Sequence, residues 1–174
     1  MKNKIFLFSL LILLAGCNGR KNASIATNIH ILDKASPISS FSELTNKLEG
    51  KAIYIDRWAS WCTPCIEEFK HNEALHDFLH AHDIEMVYLN SDTELDEQAW
   101  LDFINEHQLK GNHLRMDSIL KADLIDKGIF IPMIPQYIIV GTNGAVITNS
   151  ALRPSSGEEL FNQLKEALKL KNVP

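Results

Sequence analysis

The chain has 174 residues, 45% of them apolar and 22% charged, with 8 glycines and 6 prolines. That make-up excludes a disordered or collagen-like polypeptide and fits a single globular domain with a real core. A formal net charge of −5 leaves no chain-wide basic surface for a nucleic-acid partner, and three cysteines suit neither a disulfide scaffold nor a four-ligand zinc knot, so they divide between roles.

Residues 1–16 place two lysines ahead of an apolar run from Ile5 to Ala15, broken only by Ser9, with small residues leading into Cys17. This is the layout of a secretory signal peptide. The run of 11 residues falls short of the ~18 that a permanent membrane-spanning helix needs. Leu14-Ala15-Gly16-Cys17 resembles the lipobox of bacterial lipoproteins, which implies cleavage before Cys17 and lipidation of its sulfur. The alternative is an ordinary secreted protein with an incidental Cys17. Acyl chains contribute ~0.8 kcal/mol per buried CH₂ and would hold the mature chain on a bilayer. Residues 17–37 are polar and read as a lipidated tether, with an added edge strand at Ile29–Leu32 as the alternative; the domain is then expected over residues 38–174.

Within that domain, Phe41, Leu44 and Leu48 stand at helical spacing after Ser39 and Ser40 and before Gly50, a short capped helix. Ala52 to Trp58 is β-branched and aromatic, the pattern of a buried central strand. A helix is expected from Pro64 to about Ala81, since proline is tolerated in a first turn whose N–H is unpaired anyway. Ile84 to Leu89 reads as a second strand and Glu94 to His107 as a second long helix, so the alternation predicts a parallel sheet with right-handed crossovers. A short helix over Ser118–Asp126 stops at Gly128, and strands Gln136–Val140 and Ala145–Thr148 flank the hairpin turn GTNG. Ser155 and Ser156 are candidate caps for a last helix running to Leu170.

Trp61-Cys62-Thr63-Pro64-Cys65 lies where the first of these strands gives way to a helix. Two intervening residues let the sulfurs close a small ring when oxidised. When reduced, the first sulfur faces the free N–H groups of the helix start, which favour its thiolate. In such motifs a thiol pKa of about 8.5 can fall to ~7 or below. Cys62 is therefore the expected attacking sulfur and Cys65 the more buried, resolving one. Competing readings are half of a zinc site, a structural disulfide, and a copper(I) site; no second Cys-x-x-Cys supplies further zinc ligands. His71, His76, His80 and His82 crowd one stretch, with His76 and His80 at i, i+4 spacing, but no thiolate or carboxylate completes a metal set and a solvated helix face is expected. Trp58 and Trp100 are expected in the core.

The segment Asp56-Arg57-Trp58-Ala59-Ser60-Trp61-Cys62-Thr63-Pro64-Cys65 resembles the active-site stretch of thioredoxin-fold proteins. With the lipobox and the downstream pattern, the chain from about residue 38 onward resembles the membrane-tethered TlpA/ResA-like thiol-disulfide oxidoreductases. The resemblance implies an α/β, thioredoxin-like fold: a central mixed sheet with parallel strands, a C-terminal antiparallel hairpin, and helices on both faces. It implies a cis proline at Pro135, with Pro132 the competing position, and substrate binding by Trp61 and by Ile134, whose backbone pairs with extended substrate. Asp56 matches the buried acid behind the cysteine pair, suited to take the proton of Cys65; its alternative is a salt bridge with a nearby base. Glu68 matches the glutamate of the family's C-x-x-E pattern, and the adjacent Glu67 is expected to face water. The family often has proline two residues after that glutamate; here it is Lys70, which removes the usual cause of a kink. The expected partners are proteins with disulfides or thiols and a membrane electron donor, with no nucleic acid, no cofactor and no metal, in a monomer at the periplasmic face of a bacterial membrane. Reduction, for example in cytochrome c maturation, is expected over oxidation, although couples with this kind of motif span roughly −270 to −120 mV. A copper(I)-binding or partner-docking protein without turnover is the alternative.

Overall fold

Four strand-forming runs and two that are not obvious strands make one six-stranded sheet, with the run AIYIDRW near its centre. The computed structural model describes residues 28–48, 50–93 and 97–170. In order these form β1 (Ile29–Ile31), α1 (Phe41–Lys47), β2 (Ala52–Trp58), α2 (Thr63–Glu68), α3 (Asn72–Ala81), β3 (Ile84–Asn90), α4 (Glu97–Glu106), β4 (Gly111–Arg115), α5 (Ser118–Asp126), β5 (Gln136–Val140), β6 (Val146–Thr148) and α6 (Glu158–Leu168). Short 3₁₀ turns follow α2 at Phe69–His71 and precede α6 at Pro154–Ser156.

The strand order is β1-β4-β3-β2-β5-β6. β1, β4, β3 and β2 are parallel neighbours, whereas β5 runs antiparallel to β2 and β6 antiparallel to β5. This is the thioredoxin-like arrangement that the resemblance implied. Every residue of β2 is buried, as a strand covered on both faces requires. Because side chains alternate across a strand, Ala52, Tyr54 and Trp58 join one core with Leu75 and Leu79 of α3, Ile104 of α4 and Leu160 of α6. Ile53 and Ile55 join the other, with Phe41 and Leu44 of α1 and Leu120 and Leu124 of α5. Helices therefore cover both faces.

Four features differ from expectation. Gly111–Arg115, which carries no apolar alternation, is a strand because it pairs with β3 on one side and β1 on the other. Ile29–Ile31 is the edge strand rather than tether, so ordered chain begins before residue 38. The expected continuous helix over residues 64–81 is broken by the Phe69–His71 turn even though residue 70 is lysine. The break has a tertiary cause: the Glu68 carboxylate is tied to Ser155, and the Phe69 ring sits edge-on to both Trp58 and Tyr88. Finally, Gly157 is the N-cap of α6 and offers no side-chain bond, while the expected caps Ser155 and Ser156 lie in the preceding 3₁₀ turn, Ser155 bonded to Glu68. The signal peptide, the lipobox with Cys17 and most of the tether lie outside the described residues.

Candidate active site

β2 delivers the chain to the redox motif through a turn held from the neighbouring strand. The Asp92 carboxylate accepts from the Ser60 backbone N–H at 2.8 Å and the Ser60 hydroxyl at 3.0 Å, and is itself held by the Asn90 amide at 2.6 Å. The Cys62 N–H then donates to Ala59 O at 3.0 Å, which sets Cys62 as the N-cap of α2 with Pro64 in the first turn. Cys62 and Cys65 are joined in a disulfide. Sγ of Cys62 accepts from the Cys65 N–H at 3.3 Å, so the backbone at the start of α2 already presents a donor to the sulfur where negative charge develops on reduction. Cys62 is 4% exposed and Cys65 not at all, whereas Trp61 beside them is 69% exposed.

The second wall of the site is the loop Ile131–Pro135. The Ile134–Pro135 peptide is cis, at the position expected over Pro132. Ile134 is half-buried and packs against the cluster containing both cysteines, and Met133 is 75% exposed. A cleft of about 320 Å³ runs alongside, with Met133 and Pro135 on one wall, Ala151 to Arg153 on the other and Tyr137 at its floor.

Asp56 is fully buried on the same face of β2 as Tyr54 and Trp58. Its strand neighbours are Tyr88 on β3 and Tyr137 on β5, and neither carboxylate oxygen has a hydrogen-bond partner. Burial holds its pKa well above the usual carboxylate range, and the nearby Glu68 pushes it further the same way. The salt-bridge alternative is not what the structure has: the adjacent Arg57 points to the opposite face, as consecutive strand residues must. Glu68 is buried, and its carboxylate accepts from the Ser155 N–H at 2.9 Å and hydroxyl at 3.0 Å and pairs with Arg153 at 3.4 Å. Glu67 is exposed and pairs with Lys70.

The histidines do not form one site. His76 leaves the solvated face and turns inward, its Nε2 within 3.1 Å of the Tyr88 hydroxyl, and His82 stacks on Phe78. No cluster suited to a metal occurs among the described residues. Asp92, Ser155 and Arg153 were not read from the sequence as site residues. The only local signal for Asp92 is its place just past a strand end, and Ser155 looked like a helix cap.

No family model matches the chain. It is 26% identical over 121 residues to the thiol-disulfide oxidoreductase ResA of Bacillus thuringiensis subsp. konkukian, which is 70% of this chain and 64% of that protein. The chain therefore spans just under two thirds of this curated relative. Among solved structures, a Bacteroides vulgatus protein assigned as a thiol-disulfide oxidoreductase is 34% identical, with a TM-score of 0.57 and coverage of 70% of this chain and 78% of that one. StoA of Bacillus subtilis shares the fold at 24% identity, with a TM-score of 0.52 and coverage of 66% and 82%.

Proposed function

This chain belongs to the TlpA/ResA-like thiol-disulfide oxidoreductases of thioredoxin fold, and on that premise we propose that it exchanges disulfides with protein substrates through Cys62 and Cys65. The observation that carries the reading is the cysteine pair at the start of α2, with Sγ of Cys62 accepting the Cys65 N–H. In the reducing direction the Cys62 thiolate attacks a substrate disulfide, forms a mixed disulfide and expels one substrate thiolate. Cys65 then gives its proton to Asp56 and its sulfur attacks Sγ of Cys62, which releases the second substrate thiolate and leaves the Cys62–Cys65 disulfide. An electron donor returns the pair to two thiols. Asp56 suits this step because its raised pKa brings its proton affinity toward that of a thiol.

Reduction in an otherwise oxidising compartment is the direction we favour, with cytochrome c maturation as an example, a membrane protein as the donor, and lipidated Cys17 as the anchor of a monomer on the periplasmic face. The family resemblance and the lipobox support these points. No helix among the described residues is long and apolar enough to cross a membrane. Insulin reduction by the wild type and by Cys62→Ser tests the mechanism: turnover that survives the substitution refutes it. Trapping with Cys65→Ser leaves substrates bound to Cys62 and identifies them by mass. A potential below about −220 mV supports reduction, and one near −120 mV excludes it.

A further inference from the structure

Arg57 is a buried cation that the exchange chemistry does not use. Its side chain is 3% exposed, on the α1/α5 side of the sheet, and among the described residues no carboxylate pairs with it. A buried guanidinium without an anion is costly unless its N–H groups find other acceptors. They do, and nearly all lie in one loop. Nη2 donates to Met133 O at 2.7 Å and also to Ile131 O. Nε donates to Oε1 of Gln136 at 2.8 Å, Nη1 reaches the Ser91 hydroxyl at 3.4 Å, and the Phe130 ring lies 4.4 Å from the guanidinium carbon. Oε1 of Gln136 also accepts from the Ile131 N–H at 3.3 Å, while its Nε2 donates to Ile129 O at 2.8 Å and Asn149 O at 3.0 Å.

Anchors therefore stand on both sides of Ile134–Pro135, at residues 131 and 133 before it and at Gln136 after it. Gln136 carries the tie across to the opposite wall of the cleft at Asn149. A planar fork of five donors can hold two carbonyls and an amide oxygen at once; an ammonium on a flexible stem cannot reproduce that geometry.

From this network, and resting on the exchange function proposed above, we infer that Arg57 is a positioning residue: it holds the Ile131–Pro135 loop so that the Ile134 backbone can pair with an extended polypeptide. It sets affinity for polypeptide disulfides and leaves the chemistry at sulfur alone. A small disulfide that needs only the sulfurs gains nothing from the loop.

The test compares wild type, Arg57→Met and Arg57→Lys with two substrates, insulin and hydroxyethyl disulfide. For Arg57→Met the KM for insulin rises about five- to tenfold while kcat, the rate with hydroxyethyl disulfide and the reduction potential stay within about twofold. Arg57→Lys falls between it and the wild type. An unchanged KM, or an equal loss with both substrates, overturns the assignment. Should Arg57→Met fail to fold, Arg57→Lys carries the test alone, with a KM rise of about threefold or more expected and an unchanged KM refuting it. If the wild type reduces neither substrate, the exchange function falls instead, and amide exchange decides the loop: the backbone N–H of Ile131, which donates to Gln136, exchanges about tenfold faster in the folded variant, and an unchanged rate overturns the proposal.

Discussion

Asp56→Asn should change the pH dependence of stability in a way that no surface carboxylate can. The native carboxyl is fully buried with neither oxygen hydrogen-bonded, and its pKa is raised by burial first and by Glu68 second. In the unfolded chain an aspartate titrates near 3.9. Below that pH both states carry the proton and Asp56 adds no pH dependence. As pH rises past it, the unfolded state releases its proton while the native state keeps its own, so the wild type loses stability at up to about 1.4 kcal/mol per pH unit until the native carboxyl also ionises. Asparagine has the same shape and no titration, and this loss disappears. The ionisable groups that do not interact with residue 56 are the same in both proteins and largely cancel in the difference. With a urea m-value of about 2 kcal/mol/M, the gap between the two midpoints widens by about 0.7 M per pH unit. The assay is urea unfolding of the oxidised proteins at half-unit steps from pH 4 to 8, so that neither Cys62 nor Cys65 titrates. Stability curves that stay parallel over the whole range would refute the buried, unpaired carboxyl.

Asp92→Ala removes the acceptor for two Ser60 donors and the buried Asn90 amide; it should destabilise the fold by about 2–4 kcal/mol in chemical denaturation, and a loss under about 0.5 kcal/mol would contradict the bonding described. His76 and His113 have pKa values lowered from 6.5 to about 4 by burial, so their ring resonances should show neutral imidazole down to about pH 5 by NMR. Because the native values are depressed, the stability each contributes is present above about 6.5 and is lost as pH falls toward 4; a midpoint near 6.5 for either ring would place it in solvent.

What could be read from the sequence was local. β2 announces itself by an unbroken β-branched and aromatic run, and Cys62 and Cys65 by their spacing at its end, because both signals sit within a dozen residues. β4 has the sequence GNHLR, whose pattern argues for no element; it is a strand because Asn112 and His113 meet β3 and β1, and without it β1 also lacked a visible partner. The Phe69–His71 turn and the bare start of α6 meet at one contact, the tie between Glu68 and Ser155, which joins side chains 87 residues apart. Helix-capping rules weigh only the serine's near neighbours, so they assign it to the helix that follows. The hydrogen bonds of Arg57 span 34 to 79 residues, and only the sheet brings their partners together.

The two adjacent charges of β2 show how burial separates a structural role from a chemical one. Arg57 and Asp56 are both removed from water, and each faces the same desolvation cost. On one face the cost is offset by acceptors for Nε and both Nη atoms, which fix the guanidinium in one place; with its pKa lowered only to about 10, it also stays in one charge state at neutral pH. On the other face nothing offsets it, so the carboxyl keeps its proton more firmly than an aspartate in water. A group bonded through each of its nitrogens cannot change its bonding without disturbing what it holds, which suits an anchor for a loop. A group with no partners changes its protonation state without breaking a single hydrogen bond, which suits the proton-acceptor role proposed for Asp56. Exchanging the two residues would place an anion before the carbonyls of Ile131 and Met133 and, between Tyr88 and Tyr137, a cation that cannot take up the proton of Cys65.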